Sequence, residues 1–209
     1  MKLKKKYKKF IIIIVVLLLL GLLGFILYQN MFGSTPPVKE VKVISKIDKY
    51  GYNLKDNKTD EYKKMFKELE KILNEDEVDE EKYVSKISEM FIYDFYSLDD
   101  KSAKTDIGGV DFVYPDILEN FLQNAQDTFY KYVESNIYNN RIQDLPVVSE
   151  VEIGEISQGA IAYQDKTDEE GYTVEVSWDY IGSKFATYQK SATLKFIHDD
   201  VKLYLVELQ

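Results

Sequence analysis

From Phe10 to Tyr28 the chain runs 19 consecutive residues without a charge, most of them Ile, Val, Leu and Phe. At about 1.5 Å per helical residue such a run covers roughly 28 Å, close to the thickness of a bilayer's hydrocarbon core. This predicts a transmembrane helix over 10–28. A cleaved signal peptide is the competing reading, but its apolar stretch is usually about 7–15 residues and ends in a small-x-small site. Gln29-Asn30-Met31-Phe32 offers no such pair, and a lipoprotein anchor would need a cysteine, of which the chain has none. Lys2, Lys4, Lys5, Lys6, Lys8 and Lys9 precede the run, with no acidic residue among them. The positive-inside rule then makes residues 1–9 a cytoplasmic basic tail and sends the rest of the chain outside the cell membrane as a single-pass protein. Gly21 and Gly24 stand three apart, so they do not form the Gly-x-x-x-Gly dimer face.

Beyond the run, 21 of the 27 basic residues face all 36 acidic ones, a formal −15. Such a surface repels nucleic acid and anionic headgroups. The lack of cysteine excludes disulfides and thiol catalysis, and a single histidine, His198, excludes a zinc site built on several of them. Arg141 is the only arginine in a chain rich in Lys, Asn, Ile and Tyr. That bias points to an AT-rich bacterial genome and a cell-envelope location, in which the sequon Asn57-Lys58-Thr59 has no role.

Gly33-Ser34-Thr35-Pro36-Pro37 closes a linker over 29–37, each Pro denying helix to its predecessor. Residues 38–209 are then long enough to bury near 70% of the unfolded surface around one core. The segment Val38–Tyr52 alternates loosely and reads either as a strand or as an opening helix. Tyr62, Met65, Phe66, Leu69, Ile72 and Leu73 lie on one helical stripe, predicting a helix over 60–73. Asp79 as N-cap, with Glu80 and Glu81 behind it, starts a second over 79–98. Gly108-Gly109 breaks the chain, and Pro115 opens a third helix over 115–138 that frays into Asn139-Asn140. After Pro146 the period becomes 2. Strands are expected over 147–164, 172–181, 187–197 and 201–208, with bulges at Gly154 and Gly159, a polar loop over Asp165–Gly171 and a tight turn at His198-Asp199-Asp200. Helices first and an antiparallel meander after them predict an α+β domain, about three helices packed on a curved sheet.

That order, with its bent long strand and a final Lys202-Leu203-Tyr204-Leu205-Val206-Glu207-Leu208, resembles the nuclear transport factor 2-like (cystatin-like) fold over roughly 55–209. The resemblance rests on element order. It implies a cone of sheet closed by helices. Membrane-anchored members of similar topology serve as scaffold subunits of conjugation and type IV secretion machines, and others bind small molecules or act as isomerases and dehydratases.

The residues themselves carry little chemistry. His198 beside Asp199 and Asp200 is expected to point into water from its turn, where nothing tunes a proton transfer. The acidic stretch Asp165–Glu170 lacks the ligand spacing of a calcium loop, as does Asp56-x-x-x-Asp60, so no metal or other cofactor is expected. There is no Gly-x-Ser-x-Gly elbow and no phosphate loop. Aromatics are 14% of residues, and Trp178, Tyr180 and Tyr204 are the candidates for a pocket wall if the cone is open. The leading expectation is a non-enzymatic envelope-facing scaffold or interaction domain with protein partners, no nucleic acid, and lipid contact through residues 10–28. A module binding a small molecule or cell-wall fragment is the alternative, and an enzyme of the same fold comes third. A filled cone favours the first reading, an open aromatic cavity the second, and a carboxylate or His facing that cavity the third.

Overall fold

Helix-forming residues flank the apolar run on both sides, and α1 (Lys5–Phe32) is one continuous helix of 28 residues. The computed structural model describes residues 5–32 and 41–209, which fall into two units, 1–39 and 40–209. Side chains of α1 are described at Tyr7 and over 14–27, and its large apolar groups from Ile14 to Leu27 are 43–68% exposed. Tail residues 1–4 and linker residues 33–37 lie outside the described residues. Among the described residues no helix is long and apolar enough to cross a membrane.

The unit 40–209 is α+β. The segment left open between strand and helix forms a short hairpin, β1 (Val43–Ile47) and β2 (Tyr52–Lys55), turned by Gly51 at φ +70°. Helix α2 (Asp60–Leu73) begins where the Thr59 side chain accepts the Tyr62 N–H at 3.2 Å. Helix α3 (Glu80–Tyr96) begins with Asp79 accepting the Lys82 N–H at 3.1 Å. These caps satisfy donors that the first turn leaves without partners. Helix α2 buries only its Tyr62, Met65, Phe66, Leu69 and Leu73 stripe. Helix α3 buries Val84, Ile87, Met90, Phe91 and Ile92 completely, because it lies against α2 on one side and the sheet on the other.

That sheet is an antiparallel meander in the order β3 (Val148–Tyr163), β4 (Lys166–Tyr180), β5 (Ser191–Asp199) and β6 (Lys202–Leu208). Its inner face is built by the alternation of Val174, Val176, Trp178 and Tyr180 with Leu194, Phe196, Leu203 and Leu205. The register of β3 slips between Ile153 and Ile156 and between Gly159 and Ile161, at the two glycines that the sequence marks for bulges.

Several expectations need correction. The third helix does not run over 115–138. Pro115–Ile117 is a 3₁₀ turn, and α4 (Leu118–Asp127) stops after ten residues. The cause is Tyr130, whose N–H reaches back five residues to the Ala125 oxygen (2.9 Å) while its hydroxyl donates to the Phe95 oxygen (2.6 Å) and accepts the Gly108 N–H (3.1 Å). Burying that ring requires the chain to leave the helix. The second helix ends at Tyr96 rather than at residue 98, since Ser97 Oγ takes the Val148 N–H (3.1 Å) and Leu98 N–H goes to the Pro146 oxygen (2.8 Å). The polar loop Asp165–Gly171 is almost all strand. Tyr163 pairs with Lys166, leaving a two-residue turn, Gln164-Asp165, in which Gln164 takes φ +51°. The next strand starts at Ser191 rather than 187, because Ser183–Phe185 forms a 3₁₀ turn after Gly182.

One ionic knot joins these layers. Asp94, 4% exposed on α3, accepts Lys58 Nζ at 2.6 Å, Lys101 Nζ at 3.1 Å and the Gly109 N–H at 2.8 Å. A Cβ on Gly108 would lie 1.9 Å from the Asp94 main-chain oxygen, so the glycine pair is a close approach of loop to helix rather than a mere break. Burial pushes the Asp94 carboxyl up, but Lys101, Lys58 and the Gly109 N–H outweigh it and hold the pKa at about 2. A carboxyl depressed in the folded state stabilises above its unfolded pKa, about 3.9, and that contribution is lost as pH falls through the folded value. Urea unfolding followed by circular dichroism should therefore show a steep loss of stability between about pH 4 and 2. Asp94→Asn should cost about 3–5 kcal/mol at pH 7, by leaving Lys58 without its anion and Lys101 with Asp100 alone, and should flatten that acid limb. A loss below about 1 kcal/mol would contradict the central role given to this residue.

Candidate functional site

The three predicted pocket residues are not brought together. Trp178 is 3% exposed and lies on the Tyr96 ring, centroids 4.3 Å apart. Tyr180 is buried against Phe185 and Tyr188. Neither the indole N–H nor the Tyr180 hydroxyl has a hydrogen-bond partner. Burial pushes Tyr180 up to about 12, held back by the neighbouring indole N–H, which leans on its oxygen short of hydrogen-bond geometry. Tyr204 lies on β6, edge-on to Tyr114, and its ring with that of Tyr52 encloses the Lys202 ammonium at 4.4 and 4.2 Å. That ammonium donates to the Asp111 oxygen at 3.0 Å, and burial lowers its pKa to about 8. Tyr204 thus clamps a cation, and Trp178 and Tyr180 pack the interior.

His198 is not a solvated turn residue. It sits near the end of β5, the turn having moved on to Asp200-Val201 with Asp200 at φ +56°. Asp168 Oδ2 accepts both the His198 backbone N–H at 2.7 Å and its Nδ1 at 2.8 Å. Nε2 lies 3.5 Å from Glu80 Oε2, which also accepts the Tyr172 hydroxyl at 2.9 Å. Burial pushes the Asp168 carboxyl up, and the His198 bonds outweigh it, leaving it below the usual carboxylate range. With both ring nitrogens turned to carboxylates, His198 braces the first turn of α3 against β4 and β5. Among the described residues no three His, Cys, Asp or Glu side chains are placed to hold a metal ion.

Two surfaces have the character of binding sites, and sequence reasoning missed both. The first is the connection after α4. Segment 128–147 contains no regular element, yet it exposes Tyr132 at 75%, Ile137 at 55% and Ile142 at 96%. It is nonetheless firmly held. The Arg141 side chain is only 2% exposed and donates to the Lys101 oxygen at 2.8 Å and to the Glu134 and Asp99 oxygens. Asn136 N–H bonds the Ser102 oxygen at 2.7 Å, Asn136 Oδ1 accepts the Arg141 N–H at 3.0 Å, and the Gln143 amide bridges Glu134 N–H and the Tyr132 oxygen. The only arginine of the chain is thus spent on one loop, which was the available signal. Exposed apolar side chains on a rigid backbone lose little entropy on docking.

The second surface is a cleft of about 540 Å³ between α4 and the end of β6, walled by Phe95, Tyr96, Phe121, Phe129 and Leu208. Its volume falls within the usual range of small-ligand sites. No protein family, curated relative or solved structure matches the chain.

Two substitutions test these assignments. Trp178→Ala should cost about 3–5 kcal/mol in urea unfolding, as a packed ring leaving a cavity does, whereas a pocket wall would lose less than about 1. Arg141→Lys replaces a planar fork, whose two terminal nitrogens reach separate carbonyls, by a single nitrogen. Amide hydrogen exchange over 132–143 should accelerate roughly tenfold, with little change over α2 and α3.

Proposed function

We propose that the chain is a single-pass, membrane-anchored interaction domain on the outer face of a bacterial cell envelope, a scaffold or accessory subunit and not an enzyme. The observation that carries this reading is the loop after α4, where Arg141 immobilises a segment bearing Tyr132, Ile137 and Ile142 outward. Leaving such residues in water has no structural benefit, and docking against an apolar partner surface recovers their hydration cost. The interior supports the same reading. The space between α3 and the sheet, where a ligand would sit in a nuclear transport factor 2-like cone, is occupied by Trp178, Tyr180, Tyr130 and Phe95. Element order supports that fold for roughly residues 55–209. For the anchor, the support is the stretch 14–27 of α1, exposed and apolar on every side and so suited to an apolar medium, together with the six lysines that stand before residue 10.

A photo-crosslinking side chain at Ile142, introduced into the full chain in native membranes, should give discrete protein adducts. The same group at Lys67, on the solvent face of α2, should give none, and Arg141→Lys should weaken the Ile142 products severalfold. Equal labelling from both positions would remove the basis for the loop as a docking surface. Protease added to intact cells stripped of wall should digest residues 40–209, and protection of that unit would overturn the orientation.

A further inference from the structure

We infer that the cleft between α4 and the C-terminal end of β6 is a binding site for a neutral glycan chain. The inference is independent of the docking loop and rests on the lining. Phe121 and Phe129 flank the buried Phe95 ring, at 5.2 and 6.0 Å from its centroid, and supply the aromatic platform of the cleft. Phe121 and Phe129 are only half-buried, so parts of their rings are left to the cleft. Flat, apolar ring faces suit the C–H faces of a pyranose, which are flat and apolar too.

The polar groups around this platform are of one kind. Asn120, Asn124 and Thr128 follow one another at four-residue spacing along α4 and its C-cap, so they share one edge of the helix. Gln189 and Gln209 also line the cleft. The Asn120 and Asn124 amides make no hydrogen bond within the protein, and Gln189 uses only an N–H, toward the Ser191 oxygen. Each amide offers both a donor and an acceptor, which is what a hydroxyl group, itself both, requires. In a unit whose surface is dense in carboxylates, Glu207 is the one charged side chain in the lining, and Lys195 neutralises it at 2.9 Å. Nothing in the cleft therefore selects an ion. An acyl chain would fit the platform but would strip water from the amides without replacing their hydrogen bonds, at about 1–3 kcal/mol for each group so buried. A hydroxylated, uncharged ligand satisfies both halves of the lining.

The test uses the full chain in nanodiscs, titrated calorimetrically with neutral malto-, cello- and chito-oligosaccharides, with a polyuronate, a neutral peptide and a decyl glycol as contrasts. At least one neutral oligosaccharide should bind and should slow amide exchange over 117–129 and 206–209. Asn120→Ala with Asn124→Ala alters exposed side chains without internal bonds, so it should leave thermal stability unchanged while weakening binding roughly tenfold. Phe121→Leu keeps an apolar group but removes the flat face, and should weaken it by a similar factor. The inference fails if no neutral oligosaccharide binds at millimolar concentration, if neither variant changes the affinity, or if the polyuronate, peptide or decyl glycol binds as well. Crosslinking at Ile142 is unaffected by any of these outcomes, so the cleft and the docking loop stand or fall separately.

Discussion

Asp94 is the point on which the rest of the unit hangs. Removing a carboxylate from water costs several kcal/mol, and only near-complete satisfaction of its oxygens offsets that. Here the offset comes from three places in the chain: Lys58 just before α2, Lys101 just after α3, and the Gly109 N–H at the close approach of loop to helix. The knot therefore fixes where α2 begins relative to α3 and how the excursion after α3 returns. Its reach extends further, because the main-chain oxygen of Lys101 is one of the acceptors that immobilise Arg141. The loop after α4 is thus held, through Arg141 and Lys101, by a carboxylate buried in the core.

The aromatic interior works by a different logic. Some tyrosines are buried with a partner for the hydroxyl. Tyr52 and Tyr83 share a hydrogen bond of 2.7 Å, and Tyr83 also takes the Leu203 N–H, so two rings and a strand edge are fixed together. Burial raises both tyrosines well above their ordinary pKa, which keeps them neutral and able to donate. Trp178 and Tyr180 are buried with no hydrogen-bond partner for the indole N–H or the hydroxyl. Their polar atoms lower the net gain from two large rings, yet the stacking on Tyr96 and the packing on Phe185 remain.

What could be read from the sequence follows how local each cause is. Thr59 and Asp79 cap helices through bonds three residues long, so α2 and the start of α3 are legible in composition and period. Gly154 and Gly159 mark their own bulges. The end of α4 is not legible, since Tyr130 leaves the helix for partners at Phe95 and Gly108, 35 and 22 residues away. His198 reads as exposed because its partner Asp168 is 30 residues distant, within a stretch whose acidity resembles a loop but whose backbone is paired with β3. The loop after α4 did leave a trace in Ile137, Tyr138 and Ile142 set among Asn residues without any period, a pattern that neither a buried element nor an ordinary solvated loop produces.

The early end of α4 also explains why both candidate surfaces lie where they do. Had the helix continued to residue 138, Phe129, Tyr132 and Val133 would have shared one buried stripe with Phe121 and Ala125, and little would remain for a ligand or a partner. Turning at Thr128 instead separates them. Phe129 stays beside the cleft, Tyr130 and Val133 enter the core, and Tyr132 is turned out to water. The same break frees the following residues from helical geometry, so that Arg141 can fold back onto three carbonyls and carry Ile142 outward. A helix through residue 138 would occupy the Glu134 carbonyl with a bond from four residues on and so deny Arg141 one of its three acceptors. One buried tyrosine hydroxyl, by shortening a helix, thus divides an amphipathic segment into a cleft wall and a presented loop.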